Sequence, residues 1–207
     1  MGTVVLPVYT ADIRLFSSYE NEAMRLLPEA RRRKAEKYIK REDRLLSVCA
    51  GMLMYKILSV TSETEMTYNE HGKPFLKHGK FFSLSHSGNY AFLSVHDEVI
   101  GIDAERIRKR KEGISARMFT LEEQTYVQED DVSFFSVWTR KEAVVKALGT
   151  GLHTPFRSFD VLHPQIDIQG LRLFLSTCSF EKEYVISSAS TKNVIIQTES
   201  IRPSDIF

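Results

Sequence analysis

Ile100-Gly101-Ile102-Asp103-Ala104-Glu105 sets two carboxylates two residues apart in a strand-like run. The period-two alternation of a strand turns Asp103 and Glu105 to one face and Ala104 to the other. Like charges so placed repel unless a cation lies between them. Hard oxygen ligands of this kind suit magnesium, which keeps several waters and completes its shell with phosphate oxygens. An acid-x-acid pair is also a common solvent-facing strand end, and taken alone it does not separate the two readings.

Trp138, Glu142 and Lys146 follow one another at steps of four, along one face of a predicted helix. One account is a tryptophan anchoring the core beside an exposed Glu-Lys pair worth about 0.2–0.5 kcal/mol. The other makes Glu142 a third oxygen ligand or a general base, and Lys146 a cation facing a phosphate or leaving group. Ser85-His86-Ser87-Gly88 gathers small donors at the end of a hydrophobic strand, which suits either phosphate binding or a satisfied polar turn. The chain lacks a G-x-S-x-G elbow and the Walker and Rossmann glycine patterns, which argues against a serine hydrolase and against those nucleotide folds.

These residues need elements to hold them. Residues 28 to about 60 read as one long helix or two abutting ones, with Tyr38, Leu45, Cys49, Met52 and Leu53 at helical spacing. The first half of this stretch, from Arg31 to Arg44, is very basic, usually the mark of a solvated helix face. His71-Gly72-Lys73-Pro74 predicts a turn. Runs at 81–85, 90–95 and 99–105 read as an antiparallel meander, followed by the basic link 106–111. Helical patterns return at 114–128 and 133–148, then strand-like runs near 159–162, 171–176, 184–188 and 193–198. The expected fold is therefore α+β, in two similar helix-plus-antiparallel-sheet halves, residues 1–100 and 101–207, with the active site between them. No letter-for-letter repeat accompanies that internal pseudo-repeat.

Composition sets outer limits. With 207 residues, 43% hydrophobic and 27% charged, the chain can bury a core in one domain or two small ones. Twenty-eight Lys+Arg against 27 Asp+Glu leave a net charge of +1, so attraction to a partner must come from local patches. Cys49 and Cys178 have neither the number nor the spacing of a disulfide framework or zinc site, and are expected as buried free thiols. Residues 1–10 lack a basic start and a long apolar run, and no segment has the length of a bilayer span, so a cytoplasmic protein is expected.

Read in order, Gly72-Lys73-Pro74, Phe82-Ser83-Leu84-Ser85-His86-Ser87, Gly101-Ile102-Asp103-Ala104-Glu105 and Trp138-x-x-Lys141-Glu142-Ala143-x-x-Lys146 resemble the successive motifs of the phosphopantetheinyl transferases. They are most similar to the larger pseudo-dimeric type that activates peptide and polyketide synthetases. The likeness runs from about residue 28 to 151. It implies two α+β halves related by a pseudo-twofold axis, with coenzyme A in the cleft between them and magnesium, or manganese in its place, on the pyrophosphate. By matched position, Asp103, Glu105 and Glu142 would hold the metal, and Lys73, Ser85, His86 and Lys146 would meet coenzyme A. From the basic helix Arg33 and Lys34 are expected to join them, with Arg44 and Ser47 as further candidates.

The implied reaction moves the 4'-phosphopantetheine arm of coenzyme A onto a serine of an acyl or peptidyl carrier protein, with adenosine 3',5'-bisphosphate leaving. Glu142, directly or through a metal-bound water, would take the serine proton and Lys146 would stabilise the departing oxygen. Ala104 departs from the larger aliphatic residue common in relatives, a matter of packing because its side chain points away from the acids. Arg106, Arg108, Lys109, Arg110 and Lys111 form either a surface for an acidic carrier or a solvated linker. The expected partners are a carrier protein and coenzyme A, with no nucleic acid and no membrane, and the internal pseudo-symmetry favours a monomer. Three rivals stand beside this reading: a nucleic-acid module using 31–44 as a phosphate footprint, a magnesium-dependent phosphohydrolase, and a scaffold that binds coenzyme A without turnover.

Overall fold

The computed structural model describes residues 2–77 and 79–207. Its first half runs β1 (Val4–Asp12), α1 (Ile13–Phe16), α2 (Glu20–Leu26), α3 (Glu29–Glu36), α4 (Arg41–Leu58), the hairpin β2 (Met66–Tyr68) and β3 (Pro74–Leu76), then β4 (Phe81–Ser87) and β5 (Tyr90–His96). The second half runs β6 (Ile100–Arg106), α5 (Ile114–Met118), α6 (Leu121–Val127), α7 (Asp131–Leu148), β7 (Gln165–Ile168), β8 (Leu171–Phe180), β9 (Tyr184–Ser190) and β10 (Val194–Ser200). One four-stranded sheet has the order β10-β1-β5-β4 and the other β6-β9-β8-β7. The order β1-β5-β4 thus recurs as β6-β9-β8, which makes the molecule α+β with a repeated plan. β10 returns to the first sheet and pairs in parallel with β1, from Val4↔Val194 to Thr10↔Ser200.

Some elements differ from the sequence expectation for identifiable reasons, while the stretch 28–60 follows the second of its two readings and is two helices. α3 buries only Ala35, whereas α4 buries every residue from Leu45 to Met54, so the two need different directions and the chain turns between them. The expected meander stops after two strands. β5 is already flanked by β4, from Phe81↔His96 to Ser87↔Tyr90, and by β1, from Val8↔Ser94 to Asp12↔Tyr90. β6 therefore leaves that sheet and pairs with β9, from Ile100↔Ser190 to Arg106↔Tyr184. No strand forms at 159–162, where Phe159 and Val161 pack into the core and the Phe159 carbonyl accepts a hydrogen bond from Lys141.

Three buried clusters result. α4 covers one sheet through Leu45, Val48, Cys49, Met52 and Leu53, and α7 covers the other through Val137, Val144 and Val145. A third cluster, with Leu6, Val8, Phe92, Ile102, Tyr184 and Ile186, fastens the two sheets to each other. Ala104 lies in this third cluster, on the packing side as its strand position predicts. Cys49 is buried and Cys178 half-buried, both free, and burial pushes both thiols up. Among the described residues no helix is long and apolar enough to cross a membrane.

Candidate active site

α7 lies directly on β6 because residue 101 is glycine. A Cβ there would sit 2.1 Å from the Ala143 carbonyl oxygen and 2.4 Å from the Ala147 nitrogen, both backbone atoms that cannot yield cheaply. The close approach carries Glu142 and Lys146 across to Asp103. The ends of α7 are defined by local chemistry. Asp130 caps the first turn by accepting from the N–H groups of Val132 and Ser133, and Gly149 ends the helix in the left-handed conformation at φ +73°. On the opposite side of α7, Lys141 is wholly buried and donates to Glu123 Oε2 at 2.8 Å and to the carbonyls of Phe156 and Phe159 at 2.7 and 2.6 Å.

Asp103 and Glu105 point the same way from β6, as the alternation predicts. Asp103 is buried. Its Oδ1 accepts from Ser85 Oγ at 2.8 Å and from Lys146 Nζ at 2.7 Å, while Oδ2 is buried without a hydrogen-bond partner. Glu105 Oε2 accepts from Ser87 Oγ at 2.7 Å and from Arg108 Nη1 at 3.2 Å. Burial, then the negative charges of Asp103 and Glu105, hold the Glu142 carboxyl above the usual range, with Lys146 opposing them.

Among the described residues no three His, Cys, Asp or Glu side chains close into a metal cage. The donor set nevertheless fits magnesium. Three carboxylates share one cavity, two of them raising the third, and a buried carboxylate oxygen stands unpartnered. Magnesium binds through one or two carboxylates and takes its remaining ligands from water and substrate phosphate rather than from a complete protein cage.

The acids occupy the middle of a cleft between the halves. On one side a cavity of about 400 Å³ is lined by Arg31, Lys34, Tyr38, Ser47, His86 and Trp138 as well as the acids. On the other, a cavity of about 350 Å³ is lined by His71, Lys73, Pro74, Phe82, Gly149 and Phe156. Leu84, Glu142 and Lys146 border both, so the two cavities adjoin across these side chains and are treated together as one channel. Burial lowers Lys73 to about 8, and its Nζ donates to the Ala147 carbonyl at 3.1 Å. His86 is also lowered, by burial first and then by the Lys146 and Lys34 charges, which favours neutral imidazole. Desolvation and the nearby Arg31 lower Lys34. A channel with acids at its centre and cations on both sides suits a polyanion carrying a divalent cation.

The fold brings Lys34, Ser47, Lys73, Ser85, His86, Asp103, Glu105, Glu142 and Lys146 to this channel. It does not bring Arg33 or Arg44. Arg33 pairs with Glu29 one turn away on the surface, and Arg44 donates to Glu20 at 2.6 Å. Arg31 takes the inward place instead, together with Tyr38, neither of which the resemblance assigns to the site. Arg31 and Lys34 are three residues apart and share a helix face, so helical spacing from Lys34 would have selected Arg31 over Arg33. The Arg31 Nε is buried without a hydrogen-bond partner. The basic run is thereby divided between the channel and surface ion pairs, with Arg41 also bridged to Glu20 at 3.1 Å.

Two family profiles together match residues 17–197. The profile described as the 4'-phosphopantetheinyl transferase superfamily matches residues 99–197, and the one described as 4'-phosphopantetheinyl transferase, N-terminal, matches residues 17–98. The 4'-phosphopantetheinyl transferase gsp of Aneurinibacillus migulanus is 32% identical over 133 residues, covering 59% of this chain and 56% of that protein. The transferase Sfp of Bacillus subtilis (strain 168) is 27% identical over 161 residues, covering 72% of each, and AcpT of Salmonella typhi is 38% identical over 95 residues, covering 41% of this chain and 50% of that protein. The division between the two profiles at residues 98 and 99 falls just before β6, the strand that carries Asp103 and Glu105. Profiles, relatives and the repeated α+β halves agree: the chain belongs to the 4'-phosphopantetheinyl transferase superfamily.

Proposed function

We propose that the chain transfers the 4'-phosphopantetheine moiety of coenzyme A to a serine of a carrier protein in a magnesium-dependent reaction. The observation that carries this reading is the convergence of Asp103, Glu105, Glu142 and Lys146 in a channel whose two sides bear Arg31, Lys34, His86 and Lys73. In the reaction the carrier serine oxygen forms a bond to the β-phosphorus of coenzyme A. The bond from that phosphorus to the oxygen of adenosine 3',5'-bisphosphate breaks. Magnesium, when bound by Asp103, Glu105 and Glu142, neutralises charge on the pyrophosphate.

The remaining work falls to side chains. Glu142, the acid that borders both cavities, accepts the serine proton. Lys146 turns its N–H donors from Asp103 and the Leu84 carbonyl to the departing phosphate oxygens. Lys73, Lys34, Arg31 and neutral His86 bind the other phosphates and the adenosine end, orienting the pyrophosphate for in-line attack.

For carrier docking, Lys109 and Lys111 are exposed cations in the segment that follows β6. Arg106, Arg108 and Arg110 are already paired with Glu183, Glu105 and Glu129. An acidic carrier surface complements the free pair, and its docking should weaken with salt as the Debye length shrinks from about 10 Å at 0.1 M to about 3 Å at 1 M.

The test is intact mass of a panel of apo carrier proteins after incubation with the chain, coenzyme A and magnesium, with a chelator control. A chelator-sensitive gain of one phosphopantetheine is the expected result and ranks the carriers. No gain on any carrier, together with no binding of coenzyme A by calorimetry, overturns the reading.

A further inference from the structure

β4 and β6 are edge strands of different sheets, and edge strands leave a row of backbone N–H groups in want of partners. Here three serines of β4 meet that need. The hydroxyls of Ser83, Ser85 and Ser87 accept from the backbone N–H groups of Ile102, Ala104 and Arg106 at 2.9, 3.2 and 3.0 Å. Each contact spans 19 residues, so the two strands run in the same direction with one constant register. All three serines are buried.

A hydroxyl that accepts from an N–H group keeps a proton to donate. Ser85 donates to Asp103 Oδ1 at 2.8 Å and Ser87 donates to Glu105 Oε2 at 2.7 Å, each to the residue one before the N–H it receives. The ladder therefore engages one oxygen of each acid and leaves the other. Ser83 stands opposite Gly101, which has no side chain to receive its proton, so it joins the strands without touching an acid.

We infer that Ser87 is a positioning residue, holding Glu105 in the rotamer that serves a divalent cation while fixing the register of β6 against β4. This inference rests on the proposed role of Asp103, Glu105 and Glu142. The other group on Glu105 Oε2 is Arg108, whose side chain is 60% exposed and contributes little by comparison with a buried hydroxyl. A shift of β6 by one residue would turn both acids to the opposite face, which is why register and carboxylate orientation are fixed by the same hydroxyls.

The test is titration of Mn2+ into the chain in the presence of coenzyme A, with free Mn2+ followed by electron paramagnetic resonance. Ser87→Ala, Ser87→Thr, Ser87→Cys and Ser83→Ala are compared, with thermal unfolding of each recorded alongside. Loss of an outer partner of a metal ligand typically costs 10–100-fold in affinity, so Ser87→Ala should weaken Mn2+ at least about tenfold. Ser87→Thr, which keeps the hydroxyl, should stay within about twofold of the parent. Ser83→Ala should lose stability without weakening Mn2+. Should Ser87→Ala fail to fold, Ser87→Cys carries the test, because its volume is similar and its thiol a weak donor. A parent chain that binds no Mn2+ overturns the role of the acids and this inference together. A parent that binds, with Ser87→Ala or its Cys substitute binding equally well, overturns the positioning role alone.

Discussion

Lys146 Nζ lies 2.7 Å from Asp103 Oδ1 and 3.1 Å from the Leu84 carbonyl oxygen, so an ammonium from α7 neutralises an acid of β6 that the proposed reaction assigns to a metal. A cation arriving at Asp103 competes with that ion pair. Lys146→Met should therefore tighten Mn2+ binding measured without coenzyme A, by several-fold. The same variant should lower kcat about 10²–10³-fold, the loss typical of removing one donor to a developing charge. Opposite signs for metal affinity and turnover distinguish this account from simple damage to the site. Equal Mn2+ affinity in parent and variant would show that the pair does not guard the acid.

Lys73 is lowered by burial to about 8, so it is cationic at pH 7 and mostly neutral at pH 9. Affinity for coenzyme A should fall by up to about tenfold over that interval if Lys73 makes one charge-assisted contact, which is worth about 1.5–3 kcal/mol. Lys73→Arg keeps its charge and should abolish the fall. In the free chain the sign reverses. The folded pKa is depressed from 10.5, the unfolded chain binds more protons between the two values, and stability from this group rises as pH climbs from about 8 to 10.5. Calorimetric titration with coenzyme A at pH 7 and 9 checks the first claim and chemical unfolding at pH 8 and 10 the second.

Gly101→Ala should damage stability and site together. The added Cβ meets Ala143 and Ala147 backbone at 2.1 and 2.4 Å, which forces α7 outward. Overpacking of this kind costs about 1–3 kcal/mol. Displacing Glu142 and Lys146 from Asp103 should also reduce kcat more than it raises KM for coenzyme A, because those residues act on the reacting phosphate. Urea unfolding and steady-state kinetics on the same preparation read both effects. Full activity with an unchanged urea midpoint would mean that α7 does not depend on this contact.

The acids and the α7 face were legible because period two and period 3.6 are local rules, and Asp103, Glu105, Glu142 and Lys146 lie where those rules put them. What escaped was decided by distant partners. β1 contains Pro7, a residue that argues against a central strand, yet its pairing with β5 begins only at Val8. β6 reads as the third strand of a hairpin series until β1 claims the free edge of β5, a pairing about eighty residues away in sequence. Arg31 and Arg33 are equally basic, and only the direction of α3 relative to the channel separates them. The serine ladder was visible as Ser83-x-Ser85-x-Ser87 but had no meaning without the edge strand it meets.

Lys141 and Glu123 form an ion pair with no solvent exposure on either side chain. Burial lowers Lys141, and Glu123 opposes that shift. All three Nζ donors are engaged, by Glu123 and by the Phe156 and Phe159 carbonyls, so the lysine ties α7 to α6 and to the segment 156–161. Glu123 in turn accepts from the N–H groups of Thr120 and Val161 at 2.9 Å. Removing one partner of such a pair leaves an uncompensated charge, which costs about 3–5 kcal/mol, whereas removing both is often far milder. Lys141→Met should therefore lose about 3–5 kcal/mol in urea unfolding, and Lys141→Met combined with Glu123→Gln should recover a substantial part of it. Phe156 lines the channel, so the single variant should also raise KM for coenzyme A at temperatures where it remains folded. A double variant no more stable than the single would show that the carbonyl contacts of Lys141, rather than its charge partner, hold the segment in place.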